Sequence, residues 1–256
     1  MTMRLASLFS GGKDSTLALH IAKQAGHEIV CLVAMAPENK ESFLFHVPNI
    51  TWTKTQAASM RLPLVFVPTS GKKTREYVDL KRVLGALKET CGIEGVVTGA
   101  VYSTYQASRI QRICWDMGLW CFNPLWQSSP RAHWHELHTR GFEIMLVAVA
   151  ARGLEKEWLG KTIDENHSPV LFSLESSHGV SPIGEGGEFE SFVLDAPFFH
   201  ERLRVRRFED EWIGLQGTRH IRELQAIHKP IIPFPKNKNR KNKKGKMKNG
   251  KRRKST

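Results

Sequence analysis

Along the first 125 residues, short continuous apolar runs alternate with longer stretches whose apolar positions recur every third or fourth residue. The runs LASLF (5–9), EIVCLVAM (28–35), LVFV (64–67), GVVTG (95–99) and LWCF (119–122) predict five strands. Between them, STLALHIAKQAG (15–26) and segments near 51–60, 75–90 and 104–118 predict four helices, the first stopped by Gly26. Strands that show no polar alternation are buried on both faces. Alternation with helices therefore implies an α/β fold built on a parallel sheet covered on both sides.

The rhythm changes after Pro124. EIMLVAVAA (143–151) reads as a further buried strand, the stretch to Ser177 as largely helical, and FVLDAPFF (192–199) as another strand before RLRVRRFEDEW (202–212). These pieces predict a smaller C-terminal α+β lobe. The division expected is 1–125, 126–228 and a tail, 229–256.

Charge separates the tail from the rest. The chain carries a net charge of +13, yet residues 1–228 hold 25 basic and 25 acidic residues. The whole excess lies in the tail, which has 13 Lys and Arg, no acid, and nothing with which to build a core. Such a segment is expected to be disordered and able to contact RNA or ribosomes non-specifically, with a solubilising role as the alternative.

No apolar run approaches the roughly 18 residues of a membrane helix, and MTMRLASLFSGG lacks the marks of a signal peptide. Four cysteines with no CxxC spacing suit a reduced, cytoplasmic protein.

Two motifs carry chemistry. SGGKDS (10–15) follows the first strand and opens the first helix, which is where a doubly wound sheet binds phosphate. Gly11 and Gly12 let the backbone approach the anion, Lys13 adds a cation expected to be exposed, and Ser10 and Ser15 add hydroxyls, with Asp14 beside them. The second motif, GEGGEFES (184–191), sets Glu185, Glu188 and Glu190 among Gly186, Gly187 and a phenylalanine, just before a buried strand. Like charges so close call for a cation. An extended chain would put Glu188 and Glu190 on one side, roughly 7 Å apart. A histidine cluster, HWHELH (133–138), reads as a solvated helix face rather than a metal site.

SGGKDS resembles the signature of the PP-loop ATP pyrophosphatases, which bind ATP on a Rossmann-like sheet and cleave it between the α and β phosphates. Further segments narrow the resemblance: ESFLFHVPN (41–49), GAVYSTYQASRIQRIC (99–114), PLW (124–126), AVAARGLEKEWLG (148–160) and GEGGEFESFVLDAPFF (184–199). Together they are similar to the diphthine–ammonia ligase family in its short archaeal form, from about Leu5 to about Gly217, with Ser191 where threonine is common.

The resemblance implies an ATP-dependent amidation. The carboxylate of diphthine, a modified histidine of translation elongation factor 2, would become an amide with ammonia, giving diphthamide, AMP and pyrophosphate. It implies ATP on Ser10, Gly11, Gly12, Lys13, Asp14, Ser15 and Gly99, with Mg²⁺ held through Asp14 and Glu185. It places Phe43, His46, Asn49, Tyr102, Ser103, Tyr105, Gln106, Arg109, Gly186 and Gly187 at the substrate. Lys13, Glu185, Glu188 and Glu190 are the catalytic candidates. The alternatives are a PP-loop amidase on another carboxylate, such as a corrinoid precursor, and a non-catalytic nucleotide- or RNA-binding module.

Overall fold

A computed structural model describes residues 1–37, 49–70 and 73–229, with the side chains of residues 73 and 74 left undescribed. Five strands, β1 (Arg4–Leu8), β2 (Glu28–Pro37), β3 (Leu64–Thr69), β4 (Gly95–Val97) and β5 (Trp120–Phe122), form one sheet. Its order is β3-β2-β1-β4-β5, and every pairing is parallel. The chain runs outward from β1 through β2 to β3, then returns to β4 on the other side of β1. That reversal opens a crevice beyond the carboxyl ends of β1 and β4, where such sheets take their ligands.

Helices α1 (Lys13–Gln24), α2 (Thr53–Met60), α3 (Lys73–Cys91) and α4 (Thr104–Asp116) make the crossovers. One core fills one face of the sheet, with Cys31, Val33 and Val96 against Leu80 and Leu84 of α3 and Ile110 and Ile113 of α4.

The second lobe begins with α5 (Pro130–Thr139), whose first turn carries Pro130 and whose start is capped by Ser129 accepting from Ala132 N–H. Then come β6 (Glu143–Val149), α6 (Ser168–His178), β7 (Phe189–Asp195), β8 (Glu201–Ile213) and β9 (Gln216–His228). These four strands form an antiparallel sheet in the order β7-β6-β9-β8. The two lobes share the larger core: Leu5, Leu17 and Val97 belong to the same buried cluster as Ile144, Phe192, Val193 and Leu203.

Two expectations change. The stretch before Ser177 is mostly irregular: α6 begins only at Ser168, and a single 3₁₀ turn at Lys156–Trp158 precedes it. Irregular chain there still buries Leu154, Trp158, Leu159 and Ile163, so its apolar content reflects packing rather than a helix. The strand expected at 192–199 starts three residues earlier and ends at Asp195, which brings Glu190 onto the strand. The tail beyond Lys229 lies outside the described residues.

Candidate active site

The phosphate loop occupies the crevice. β1 leads through Ser10–Gly11–Gly12 into α1, and Gly11 has a φ of 81°, a conformation that favours glycine. Gly99, at the end of β4, lies so close to the first turn of α1 that a Cβ there would stand 2.8 Å from the Asp14 carbonyl. Ser10, Asp14, Ser15, Thr98, Gly99 and Gln106 line one side of a cleft of about 200 Å³, partly open to solvent. Gly184, Glu185, Gly187 and Glu190 line the other. The two motifs, about 170 residues apart in the chain, therefore face one another across a single space.

Lys13 departs from expectation. It is buried, not exposed, with 3% of its surface accessible. Its ammonium donates to Asp14 Oδ2 at 2.9 Å and to the Ile183 carbonyl at 2.6 Å. A buried ammonium is tolerated only with partners, and the second lobe supplies one of them. Asp14 also meets His133, whose Nε2 lies 2.8 Å from Oδ1. Burial alone would raise the Asp14 carboxyl; the Lys13 charge and the contact with His133 outweigh it and hold it at about 2.

His133 overturns part of the solvated-face reading of 133–138. His133, Trp134 and Leu137 are all buried: His133 meets Asp14 of the first lobe, and Trp134 and Leu137 belong to the core that both lobes share. Trp134 donates its indole N–H to the Pro182 carbonyl at 2.8 Å, next to the Ile183 carbonyl that receives Lys13. His135 stays exposed, and His138 stacks on Trp134. Among the described residues no three His, Cys, Asp or Glu side chains form a metal-holding group.

The three glutamates differ in position. Glu185 accepts from the Val101 N–H at 3.1 Å and lines the cleft. Its carboxyl is pushed up, first by burial and then by Asp14. Glu188 does not share a side with Glu190. Ahead of β7 it turns back into its loop, where its carboxylate accepts from Ser181 N–H at 3.0 Å and Gly186 N–H at 2.8 Å. A chain extended at Glu188 would leave those two amides unmet, so the loop folds onto the carboxylate instead. Gly184 and Gly187, with φ of 72° and 83°, permit that turn. Glu190 sits on β7 and projects into the cleft. Burial raises its carboxyl most, Lys13 opposes this, and Asp14 and Glu185 add to it, leaving it at about 7.

Of the remaining candidates among the described residues, only Gln106 and Gly187 line the cleft. Ser103 caps α4, accepting from Gln106 N–H. Tyr102 is exposed and donates its hydroxyl to the Ser128 carbonyl at 2.8 Å. The Arg109 guanidinium covers the Tyr105 ring at 3.7 Å, so this ring face is already taken by a cation of the chain itself. Gly186 serves Glu188 through its N–H. Asn49 ties the first lobe to β9, donating to Arg219 O and accepting from Ile221 N–H, both at 2.8 Å. Phe43 and His46 lie outside the described residues.

Sequence reasoning missed His133 and Gln56. Gln56 falls on the buried face of α2 at the helical spacing 53, 56, 57, 60, and a glutamine at an apolar position is the signal that marks it.

Comparison with known proteins identifies the family. One family model, the diphthamide synthase N-terminal domain, matches residues 3–121, and a second, the diphthamide synthase C-terminal domain, matches residues 129–227. The chain belongs to the diphthamide synthase family. Within that family, the human protein named diphthine–ammonia ligase is 34% identical over 222 residues, covering 79% of this chain and 83% of its own. A protein of the same name from Schizosaccharomyces pombe is 32% identical over 220 residues, or 78% of this chain but 36% of that longer protein. A solved structure, titled a predicted subunit of tRNA methyltransferase from Methanocaldococcus jannaschii, aligns at 18% identity with a TM-score of 0.42. It covers 76% of this chain and 97% of that one, a likeness too slight to bear on fold or function. In this diphthamide synthase family member no described helix is long and apolar enough to cross a membrane.

Proposed function

We propose that this chain is an AMP-forming amide ligase that converts diphthine, on translation elongation factor 2, to diphthamide with ammonia. A carboxylate has no leaving group, so it must first be activated. Its oxygen attacks the α-phosphorus of ATP, the bond to the β-phosphate breaks, and pyrophosphate leaves. Ammonia then attacks the acyl carbon of the mixed anhydride, AMP departs, and one proton leaves nitrogen.

The observation that carries this reading is that the phosphate loop and Glu190 face each other across one cleft. Ser10, Ser15 and the start of α1 suit the phosphates. Glu190, at about 7, is a base matched to neutral solution and is assigned to receive the proton of the attacking ammonia. Glu185 holds the wall of the cleft through Val101. Glu188 acts through the loop that it folds, not on the substrate. Mg²⁺, which neutralises phosphate charge when bound, suits Asp14, whose low-lying carboxyl stays ionised, and the neighbouring Glu185.

The test is to incubate the protein with ATP, ammonium and elongation factor 2 carrying diphthine. AMP, pyrophosphate and the amide mass on the factor are expected together. Release of ADP and phosphate, or no amide with this substrate, would overturn the proposal.

A further inference from the structure

Gln56 is completely buried and lies between the two halves of the site. Its carboxamide nitrogen donates both hydrogens to backbone carbonyls, one to Gly11 of the phosphate loop at 2.9 Å and the other to Val193 of β7 at 2.8 Å. The Gly11 carbonyl also receives the Val193 N–H at 3.0 Å, so loop, strand and side chain close a single knot. Two residues farther along the loop, Lys13 N–H donates to Ser191 Oγ at 3.1 Å. Val193 is three residues from Glu190 on the same strand.

The other end of the carboxamide is costly. Oε1 is buried and has no hydrogen-bond partner among the described residues. It lies 2.3 Å from where a Cβ on Gly11 would stand, so the loop accepts this oxygen only because Gly11 has no side chain. An apolar residue of the same length would fill the space without an unmet acceptor. What it would lose is the pair of donated bonds that join the lobes.

We propose that Gln56 is a positioning residue that sets the separation between the phosphate loop and Glu190. The proposal rests on Glu190 receiving the proton from ammonia. The acyl-adenylate forms on the loop side, while ammonia must be met by a base on the strand side. A displacement of about 1 Å between reacting groups costs on the order of a hundredfold in rate. A misplaced Glu190 would leave adenylation running, and the activated carboxylate would then be lost to water.

The experiment compares Gln56→Met, of similar length and without donors, with the parent protein, measuring AMP and amide in the same reaction. AMP release should stay within about threefold, and amide formed per AMP should fall about tenfold or more. Excess ammonia should not restore the ratio. Simple loss of folded protein lowers AMP and amide together and leaves their ratio untouched. Gln56→Asn keeps the amide but withdraws it by one methylene; it should lower the same ratio and serves if the methionine variant does not fold.

Parental ratios in both variants would overturn the proposal. A parent that makes no AMP would instead refute the proposed function. In that case hydrogen exchange decides the role of Gln56: the amides of Lys13 and Val193 should lose protection in Gln56→Met, and unchanged protection would reject it.

Discussion

The phosphate loop and the glutamate loop, one from each lobe, teach different things. The first is local. Its glycines, serines and helix start act through backbone shape that six consecutive residues define, so the expectation of an anion site can be read from the string SGGKDS. The second offers three residues of one kind, and their neighbours divide the work. Glu188 folds its loop, Glu185 grips the wall at Val101, and Glu190 stands in the cleft at about 7. Even in the phosphate loop, the residues that reach across the lobe boundary escape local reading: Lys13 is buried against Ile183, and Asp14 meets His133.

The sharpest way to break this contrast is Glu190→Gln. Amide formation should fall about 10²–10⁴-fold while ATP affinity stays within about threefold. Amide formation and ATP binding, measured separately, check it, and equal losses in both would erase the distinction between the two sides of the cleft.

Lys13→Ala should show the opposite signature. ATP turnover should be lost, and stability should fall as well, because Asp14 loses its cation and the Ile183 carbonyl loses its donor. The Asp14 side chain is 31% exposed, which discounts the cost of a broken buried pair to about 1–3 kcal/mol. Urea unfolding measures it; an unchanged midpoint would mean that the lysine is held more loosely than its geometry indicates.

Glu188→Ala should release two loop amides and cost about 1–2 kcal/mol. Activity should fall with the order of residues 181–188, and ATP affinity should hardly change. Exchange protection at Ser181 and Gly186 is the direct measurement.

The smallest effect concerns pH. Burial lifts Glu190 from 4.5 to about 7, so the folded chain holds this proton more tightly than the unfolded one. Its contribution to stability is complete below 4.5 and is lost as pH rises through about 7. Glu190→Gln should therefore melt with the parent in acid and above it at about pH 8. Coincident melting curves at both pH values would show that Glu190 is not desolvated.

Much of the fold was legible in the chain. The five strands of the first sheet lie where continuous apolar runs predict them, and their alternation with helices required parallel pairing. Resemblance identified the family, and the matches over 3–121 and 129–227 agree with it. The second lobe was harder to read because buried irregular chain, such as 154–163, has the composition of a helix without its hydrogen bonds.

The sequence by itself determined the parallel sheet and the glycine-rich loop at its crevice, because apolar period and glycine-rich turns act over a few residues, and the chemistry came from family resemblance. Only the tertiary structure decided which glutamate faces the cleft, that Lys13 is buried, and that Gln56 and His133 join the lobes at the loop. The groups that Lys13, Gln56 and His133 meet from the other elements lie between 45 and 178 residues away in the chain, and no local pattern records which of them will meet.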